Sequence, residues 1–144
     1  MNFVKELLKN KGREVWSLTP DTRVFEALEI MAEKNIGAMP VLESEKIVGI
    51  FSERDYARKV ILKGKASKNT HVDEIMSTKV HHVSPEQSIQ ECMELMTEKR
   101  IRHLPVLEGG DLVGIITIGD VVKAIISEQE FMMGQLENYI TGDR

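Results

Sequence analysis

The sequence has a single cysteine, Cys92, among its 144 residues. One thiol excludes an internal disulfide and a cysteine-rich zinc site, and such cysteine usage is typical of a reducing compartment. The chain also lacks an apolar signal-peptide segment near its start and any hydrophobic run of membrane-spanning length. We therefore expect a cytoplasmic protein that is neither secreted nor inserted in a membrane.

Concentrated basic charge and nucleotide-hydrolase motifs are missing as well. The formal net charge is -4, with 19 basic and 23 acidic residues interspersed, so no basic stripe indicates a nucleic-acid surface. The sequence contains no Walker loop, no Gly-x-Gly-x-x-Gly turn and no nucleophile spaced with a base. Neither an enzyme nor a nucleic-acid-binding protein is indicated.

What the sequence does contain is an internal repeat. Displacing the chain by 65 residues aligns residues 20–58 with residues 85–123 without a gap, and fifteen of the thirty-nine positions are identical. Upstream, residues 4–8 (VKELL) resemble residues 72–76 (VDEIM) at an offset of 68, so the first copy has three extra residues before its first strand. The repeat predicts two structurally equivalent halves.

Each copy has the same predicted order of elements. A short strand runs into Thr19-Pro20 or Ser84-Pro85, where the proline fits the first helical position behind a capping hydroxyl. Apolar residues then recur every three or four positions, which predicts a helix with one buried face. Two strands joined by a polar turn follow, and a second helix closes the copy. The strands are predicted at residues 15–18, 39–42 and 47–51 in the first copy and at residues 80–83, 104–107 and 112–116 in the second.

The predicted fold is therefore α/β (α+β), with tandem β-α-β-β-α repeats related by a pseudo-two-fold axis and extra helices at both ends. Two packed copies close a core that one hairpin with helices covers poorly. We divide the chain into an N-terminal helix with the first repeat at 1–63, a polar linker at 64–71, the second repeat at 72–127 and a helical extension at 128–144.

The last helix carries an apolar stripe that continues past the end of the repeat. Such a stripe should be buried against another surface, either a second subunit or the N-terminal helix, and we expect a homodimer. The stripe consists of Val122, Ile125, Ile126, Met132, Met133, Leu136, Tyr139 and Ile140.

Potentially reactive side chains are few and show no catalytic or metal-binding spacing. Cys92 aligns with Ala27 on a predicted helix and should be a small core residue rather than a nucleophile. His81 and His82 are adjacent on a predicted strand, so they point to opposite faces and do not form a chelating pair. We predict no catalytic residues and no metal site.

The sequence GIFSERD at residues 49–55 recurs as GIITIGD at residues 114–120, and two interpretations of it stay open. In the first, the Ser or Thr caps the following helix and the Asp complements the helix dipole. In the second, the glycine lets a ligand approach the backbone, the helix N-terminus binds phosphate, and the Asp accepts the hydroxyls of a ribose.

The hydrophobic-Pro-Val strand and the Gly-hydrophobic-x-Ser/Thr-x-x-Asp ending, present twice, resemble the CBS domain in the tandem pair known as a Bateman module. The resemblance covers residues 15–63 and 72 to about 127. It implies a regulatory sensor that binds an adenosine-containing ligand (AMP, ADP, ATP, NAD(H) or S-adenosylmethionine) in the clefts between the repeats. It also implies a homodimer that signals through a downstream protein partner. A ligand-free oligomerising scaffold is the alternative, and a small enzyme is a weaker one.

The resemblance also implies which residues hold the ligand. The two copies differ where phosphate would lie, because Arg54 and Arg58 align with Gly119 and Lys123. We therefore expect the site of Asp55 to bind phosphate more strongly, since a charge-assisted contact is about twice as strong as a neutral one. A solvated helix face is the alternative role of the two arginines. The implied ribose and phosphate residues are Ser52, Arg54, Asp55, Arg58, Thr117 and Asp120. The implied adenine and cleft residues are Arg13, Val15, Gly37, Ala38, Met39, Pro40, Lys79, Val80, Arg102, His103, Leu104 and Pro105.

Overall fold

The computed structural model describes residues 2–141 and confirms the mixed α/β fold with two repeats and additional helices. Each repeat contributes one two-stranded hairpin, and the first hairpin is antiparallel. The helices are α1 (Val4–Lys11), α2 (Val24–Lys34), α3 (Glu53–Lys59), α4 (Ile89–Lys99) and α5 (Ile118–Thr141). The strands are β1 (Ala38–Glu43), β2 (Lys46–Ser52), β3 (His103–Glu108) and β4 (Asp111–Thr117).

The predicted first strand of each repeat is reduced to a single parallel bridge, Leu18 with Val41 in the first repeat. The Leu18 N–H donates to Pro40 O at 2.9 Å, and Leu18 O accepts from Leu42 N–H at 2.8 Å. To extend the ladder toward the N-terminal side of Leu18, Pro40 would have to donate a backbone N–H. To extend it toward the C-terminal side, Pro20 would have to donate one. Because proline has no N–H, the ladder stops at one residue.

The second repeat has the same restriction. Val83 forms the single bridge with Val106, and its N–H donates to Pro105 O at 3.1 Å. Pro85 and Pro105 stand where Pro20 and Pro40 stand in the first copy. The strands predicted at residues 15–18 and 80–83 were therefore wrong in extent, although right in position.

The helix after this bridge begins later than predicted, because the proline lies in a turn and not in the helix. The Thr22 N–H donates to Thr19 O at 3.0 Å, which closes a turn with Pro20 at its second position. The second repeat has the same turn, in which the Gln87 N–H donates to Ser84 O at 3.1 Å, and its α4 then begins with a capping box. Ser88 Oγ accepts the Glu91 N–H at 3.0 Å, and the Glu91 carboxylate accepts the Ser88 N–H at 3.2 Å.

The chain forms two compact units. Among the described residues, the first unit contains residues 15–81 and the turn at 109–112, and the second unit contains residues 2–14, 82–108 and 113–141. Helix α1 thus belongs to the core of the second repeat, so packing groups the chain differently from sequence order. The first core is built by Leu18, Val24, Ala27, Met31, Met39, Val41, Phe51, Val60, Val72 and Ile75. The second core is built by Val4, Leu7, Leu8, Val83, Ile89, Cys92, Met96, Leu104, Val106, Ile116, Val121 and Ala124.

Helix α1 packs against the second repeat in the same way that residues 72–76 pack against the first repeat. The Val4 N–H donates to Gln87 O at 2.9 Å, and the Val72 N–H donates to Thr22 O at 2.8 Å. Both valine side chains are fully buried. The weak similarity at an offset of 68 residues therefore reflects equivalent packing.

The repeated glycine of the motif is required by this packing. A Cβ on Gly49 would lie 2.5 Å from Met76 Sδ and 3.1 Å from the backbone oxygen of Ser77, and a Cβ on Gly114 would lie 2.7 Å from Leu8 Cδ2. Each glycine therefore makes room for a residue of its own unit, which is a different role from the ligand approach that the sequence suggested.

We expect Gly49→Ala to lower the free energy of unfolding by about 1–3 kcal/mol, because the added methyl group overpacks a site bounded partly by backbone. Gly119→Ala is the matched control in the second motif, since its Cβ would lie 3.6 Å from the nearest atom, Thr117 Oγ1. Urea unfolding of both variants measures the difference. Equal stability of the two would contradict the packing explanation.

Candidate functional site

The motif of the first repeat begins α3 as a closed capping box. Ser52 is the N-cap residue, and its Oγ accepts the Asp55 N–H at 3.2 Å. Asp55 Oδ2 in turn accepts the Ser52 N–H at 3.0 Å and the Ser52 hydroxyl at 3.1 Å. The helix-capping interpretation of the motif is therefore satisfied in this repeat.

The second oxygen of Asp55 is also engaged. Oδ1 lies 3.1 Å from Lys59 Nζ and accepts a hydrogen bond from Ser77 Oγ at 3.3 Å. Lys59 Nζ also donates to Ile75 O at 3.0 Å. With 7% of its surface exposed, Asp55 uses both oxygens inside its own unit.

The motif of the second repeat has the same cap but a more open carboxylate. The Asp120 N–H donates to Thr117 Oγ1 at 3.1 Å, and Asp120 Oδ2 accepts the Thr117 N–H at 2.9 Å. Lys11, at the end of α1, places its Nζ 2.6 Å from the same Oδ2 and 2.8 Å from Ile115 O. The Asp120 side chain keeps 26% of its surface exposed. Partial burial opposes ionisation of Asp120, but the Lys11 and Thr117 hydrogen bonds outweigh it and lower its pKa.

Two further groups of the predicted site lie close to Asp120. The Ile118 N–H donates to Arg102 O at 2.9 Å, which joins the start of β3 to the start of α5. Burial lowers the pKa of His103, and the positive charges of Lys11 and Arg102 lower it further, while Asp120 opposes them. Lys11, Arg102 and Asp120 thus all act electrostatically on His103, and we call these four residues the second-repeat cluster.

The first repeat has the same backbone arrangement without these charges. The Glu53 N–H donates to Gly37 O at 3.0 Å, and Gly37 and Ala38 stand where the second repeat has Arg102 and His103. Arg54 and Arg58 lie on exposed positions of α3. The arginines of the two repeats therefore lie on different elements, on α3 in the first repeat and directly before β3 in the second.

The remaining predicted cleft residues divide into buried and exposed ones. The Met39 and Leu104 side chains are fully buried in the two cores, and Pro40 and Pro105 are buried beside them. These four can present only backbone to a ligand. Arg13 and Lys79 are exposed, and Val15 and Val80 are partly buried, in segments without regular structure. Contact of any of these residues with a ligand stays a prediction.

Sequence reasoning missed Lys11, Lys59 and Ser77, the side chains that partner the two aspartates. Lys11 was detectable, because the offset of 68 residues aligns it with Lys79, which was among the predicted cleft residues. Lys59 also had a local signal, since it follows Asp55 by four positions on a helix.

Other reactive side chains have structural roles. Burial raises the pKa of the Cys92 thiol to about 11, with a contribution from Glu91, so the thiol is not a nucleophile at neutral pH. The ligand atoms of His71, Asp73 and Glu74 lie within 4.8 Å of one another on the surface. The Glu74 N–H donates to His71 O at 3.1 Å, and the Glu74 carboxylate accepts the His71 N–H at 2.7 Å, so these two residues close a short helical turn.

Each repeat consists of a bridge residue, a helix, a two-stranded hairpin and a second helix that a Ser/Thr-x-x-Asp motif caps. The chain belongs to the CBS domain family. The family model matches residues 4–62 and 72–127. Within the described residues, no helix combines the length and apolarity needed to cross a bilayer.

Known proteins resemble the chain along most of its length. The CBS domain-containing protein CBSX3 of Arabidopsis thaliana, named as mitochondrial, is 38% identical over 96% of this chain and 72% of its own. The CBS domain-containing protein YhcV of Bacillus subtilis is 32% identical over 90% of this chain and 89% of its own. A solved Burkholderia ambifaria structure, named as a candidate signal-transduction protein with CBS domains, is 50% identical over 90% of this chain and 96% of its own, with a TM-score of 0.84.

Proposed function

We propose that the chain is a regulatory module that binds an adenosine nucleotide (AMP, ADP, ATP or NAD(H)) through Thr117 and Asp120. The observation that carries the proposal is the open carboxylate at a hydroxyl-capped helix start. Thr117 and Lys11 both bond to Asp120 Oδ2, so Oδ1 has no partner among the described residues. A carboxylate oxygen in this position can accept a ribose hydroxyl.

Helix α5, whose first turn contains Asp120, favours a phosphate group beside the ribose. The N-terminus of α5 carries the positive end of the helix dipole, which favours an anion even though the Ile118 and Asp120 N–H groups already donate to Arg102 O and Thr117 Oγ1. A carboxylate repels phosphate but accepts hydroxyl donors, so a ligand with both a diol and a phosphate suits the pair of features. CBS domains commonly bind adenosine-containing ligands, which supports a nucleotide.

The contacts favour the reverse of the ranking that the sequence suggested. Asp55 is buried with both oxygens bonded, whereas Asp120 is open and lies among Lys11, Arg102 and His103. A ribose hydroxyl that bonds to Asp55 must displace one of its internal partners, whereas a hydroxyl that bonds to Oδ1 of Asp120 displaces none. We therefore propose the second repeat as the principal site and keep the site of Asp55 as the secondary one.

The module is proposed to have no catalytic cofactor and no reaction of its own, so its output passes through self-association or a downstream protein partner. A cytoplasmic location stays a prediction, since one relative is named as mitochondrial. The second candidate function is a ligand-free scaffold. The complete capping box of Asp55 favours it, because that motif is satisfied without any ligand.

Thermal unfolding with and without AMP, ADP, ATP and NAD(H) tests the proposal. A ligand present at about a hundred times its Kd stabilises the folded state by about 2.7 kcal/mol, which raises the melting temperature by roughly 5–10 °C. 2′,3′-dideoxy-ATP is the matched control, because it keeps the phosphates and lacks the diol, and it should give a much smaller shift. No shift with any of the four nucleotides would favour the scaffold.

A further inference from the structure

We infer that Lys11 is a phosphate-binding residue of the Thr117–Asp120 site and makes this site select phosphorylated adenosine ligands over adenosine. The inference rests on the proposed function. It adds a residue from outside the repeated motif, supplied by α1, and gives a physical reason for the requirement for phosphate.

The first step is the position of the ammonium group. Lys11 Nζ bonds at 2.8 Å to Ile115 O, near the end of β4, and at 2.6 Å to Asp120 Oδ2, in the first turn of α5. The group therefore flanks the helix N-terminus, where a phosphate is most favourably placed. An ammonium group has three protons, and these two bonds leave one for a ligand.

The second step is the ease with which Lys11 can exchange partners. The side chains of Lys11 and Asp120 are 30% and 26% exposed, and an ion pair this accessible to water contributes little to stability. A phosphate is a stronger acceptor for an ammonium group than a carboxylate that must also accept a ribose hydroxyl. Lys11 can thus move from Asp120 to the phosphate and free the aspartate for the diol.

The third step is the charge of the surroundings. With His103 neutral, Lys11 and Arg102 outnumber Asp120, so the second-repeat cluster carries a net positive charge. A phosphate neutralises this excess, whereas uncharged adenosine does not. The cluster therefore discriminates by ligand charge in addition to ribose recognition.

The first repeat supplies a matched contrast. Lys59 also joins a motif aspartate to a backbone oxygen, at 3.1 Å from Asp55 Oδ1 and 3.0 Å from Ile75 O. Its aspartate is 7% exposed and has no counterpart of Arg102 or His103 beside it. Lys59 and Lys11 therefore have the same geometry, but Lys59 stabilises the fold whereas Lys11 binds the ligand.

The test measures ATP and adenosine binding to the full chain by the NMR signal of the His103 ring, which a His103→Gln variant identifies. Lys11→Gln keeps a donor for Asp120 and removes the charge, so the fold is retained. We expect it to weaken ATP binding at least about tenfold, as for loss of one charge-assisted contact, and to leave adenosine binding within about threefold. Lys11→Arg should keep the preference for ATP, and Lys59→Gln should not change the ratio of the two affinities.

The outcomes separate the two proposals. Wild-type protein that binds neither ATP nor adenosine would overturn the proposed function, and this inference with it. Wild-type protein that binds both, with an unchanged affinity ratio in Lys11→Gln, would overturn only the role of Lys11. Equal losses for ATP and adenosine would also overturn it, because they would show that Lys11 merely positions Asp120.

Discussion

Ending the chain after Ile126 is expected to weaken self-association at least about a hundredfold, because it removes most of an exposed apolar stripe on α5. Met133, Leu136 and Ile140 are 66%, 54% and 73% exposed, and fully burying one such side chain contributes about 1.5–3 kcal/mol. Three of these residues are lost per subunit. Even after the costs of association, their loss should convert a stable dimer into a monomer.

The spacing of the stripe indicates what covers it. Five of its eight residues follow one regular spacing. Val122 and Ile126 are four residues apart, and Met133, Leu136 and Ile140 continue with separations of seven, three and four, while Ile125, Met132 and Tyr139 each precede one of these five residues. Gln129 divides the interval of seven into three and four, which gives the alternating spacing of a coiled coil with one polar position. A second α5 has the same pattern, so we propose that two copies of this helix pack together.

Analytical ultracentrifugation over a range of concentrations measures the effect. Met133→Glu should weaken association as the truncation does, while Phe131→Glu is the matched control, because Phe131 is similarly exposed at 63% but lies off the stripe. A truncated chain with the same dimerisation constant as the full chain would exclude this interface.

The repeat in the sequence was sufficient to predict the fold class, the two hairpins and the long last helix. The prediction of the first strand was wrong in extent because it used apolar pattern without the pairing partner. Pro20 and Pro40 are far apart in sequence. Only the pairing of Leu18 with the strand of Pro40 shows that the two prolines prevent further hydrogen bonds on both sides of Leu18. Local patterns do not contain that information.

The candidate site was predictable in its repeated part and unpredictable in its asymmetry. Ser52, Asp55, Thr117 and Asp120 were identified by the motif itself, and all four form the expected helix caps. Whether an aspartate is buried or open depends on the segment packed against it. Lys11 comes from α1, more than a hundred residues before Asp120. Its alignment with Lys79 marks it as a candidate cleft residue but does not show that it pairs with Asp120.

The asymmetry predicts that the two motif aspartates affect different properties. Asp55→Ala should lower the free energy of unfolding by about 2–4 kcal/mol, because it removes a cap and leaves the partly buried Lys59 and the Ser52 N–H without their acceptor. Asp120→Ala should cost only about 1 kcal/mol, since its partners are accessible to water. Nucleotide affinity should change in the opposite order, with a loss of at least about tenfold in Asp120→Ala.

Urea unfolding and calorimetric titration of AMP and NAD into both variants measure these effects at pH 7. At this pH the lowered pKa of Asp120 keeps its carboxylate ionised, so the variant removes a charge that is fully present. Asp55→Asn is the matched control for stability, because the amide keeps the size and one acceptor and should recover part of the loss.

Equal losses of affinity in Asp55→Ala and Asp120→Ala would show that both repeats bind ribose alike, and a larger loss in Asp55→Ala would restore the ranking that Arg54 and Arg58 suggest. Only a larger loss of affinity in Asp120→Ala, with the larger loss of stability in Asp55→Ala, agrees with one aspartate serving the fold and the other serving the ligand.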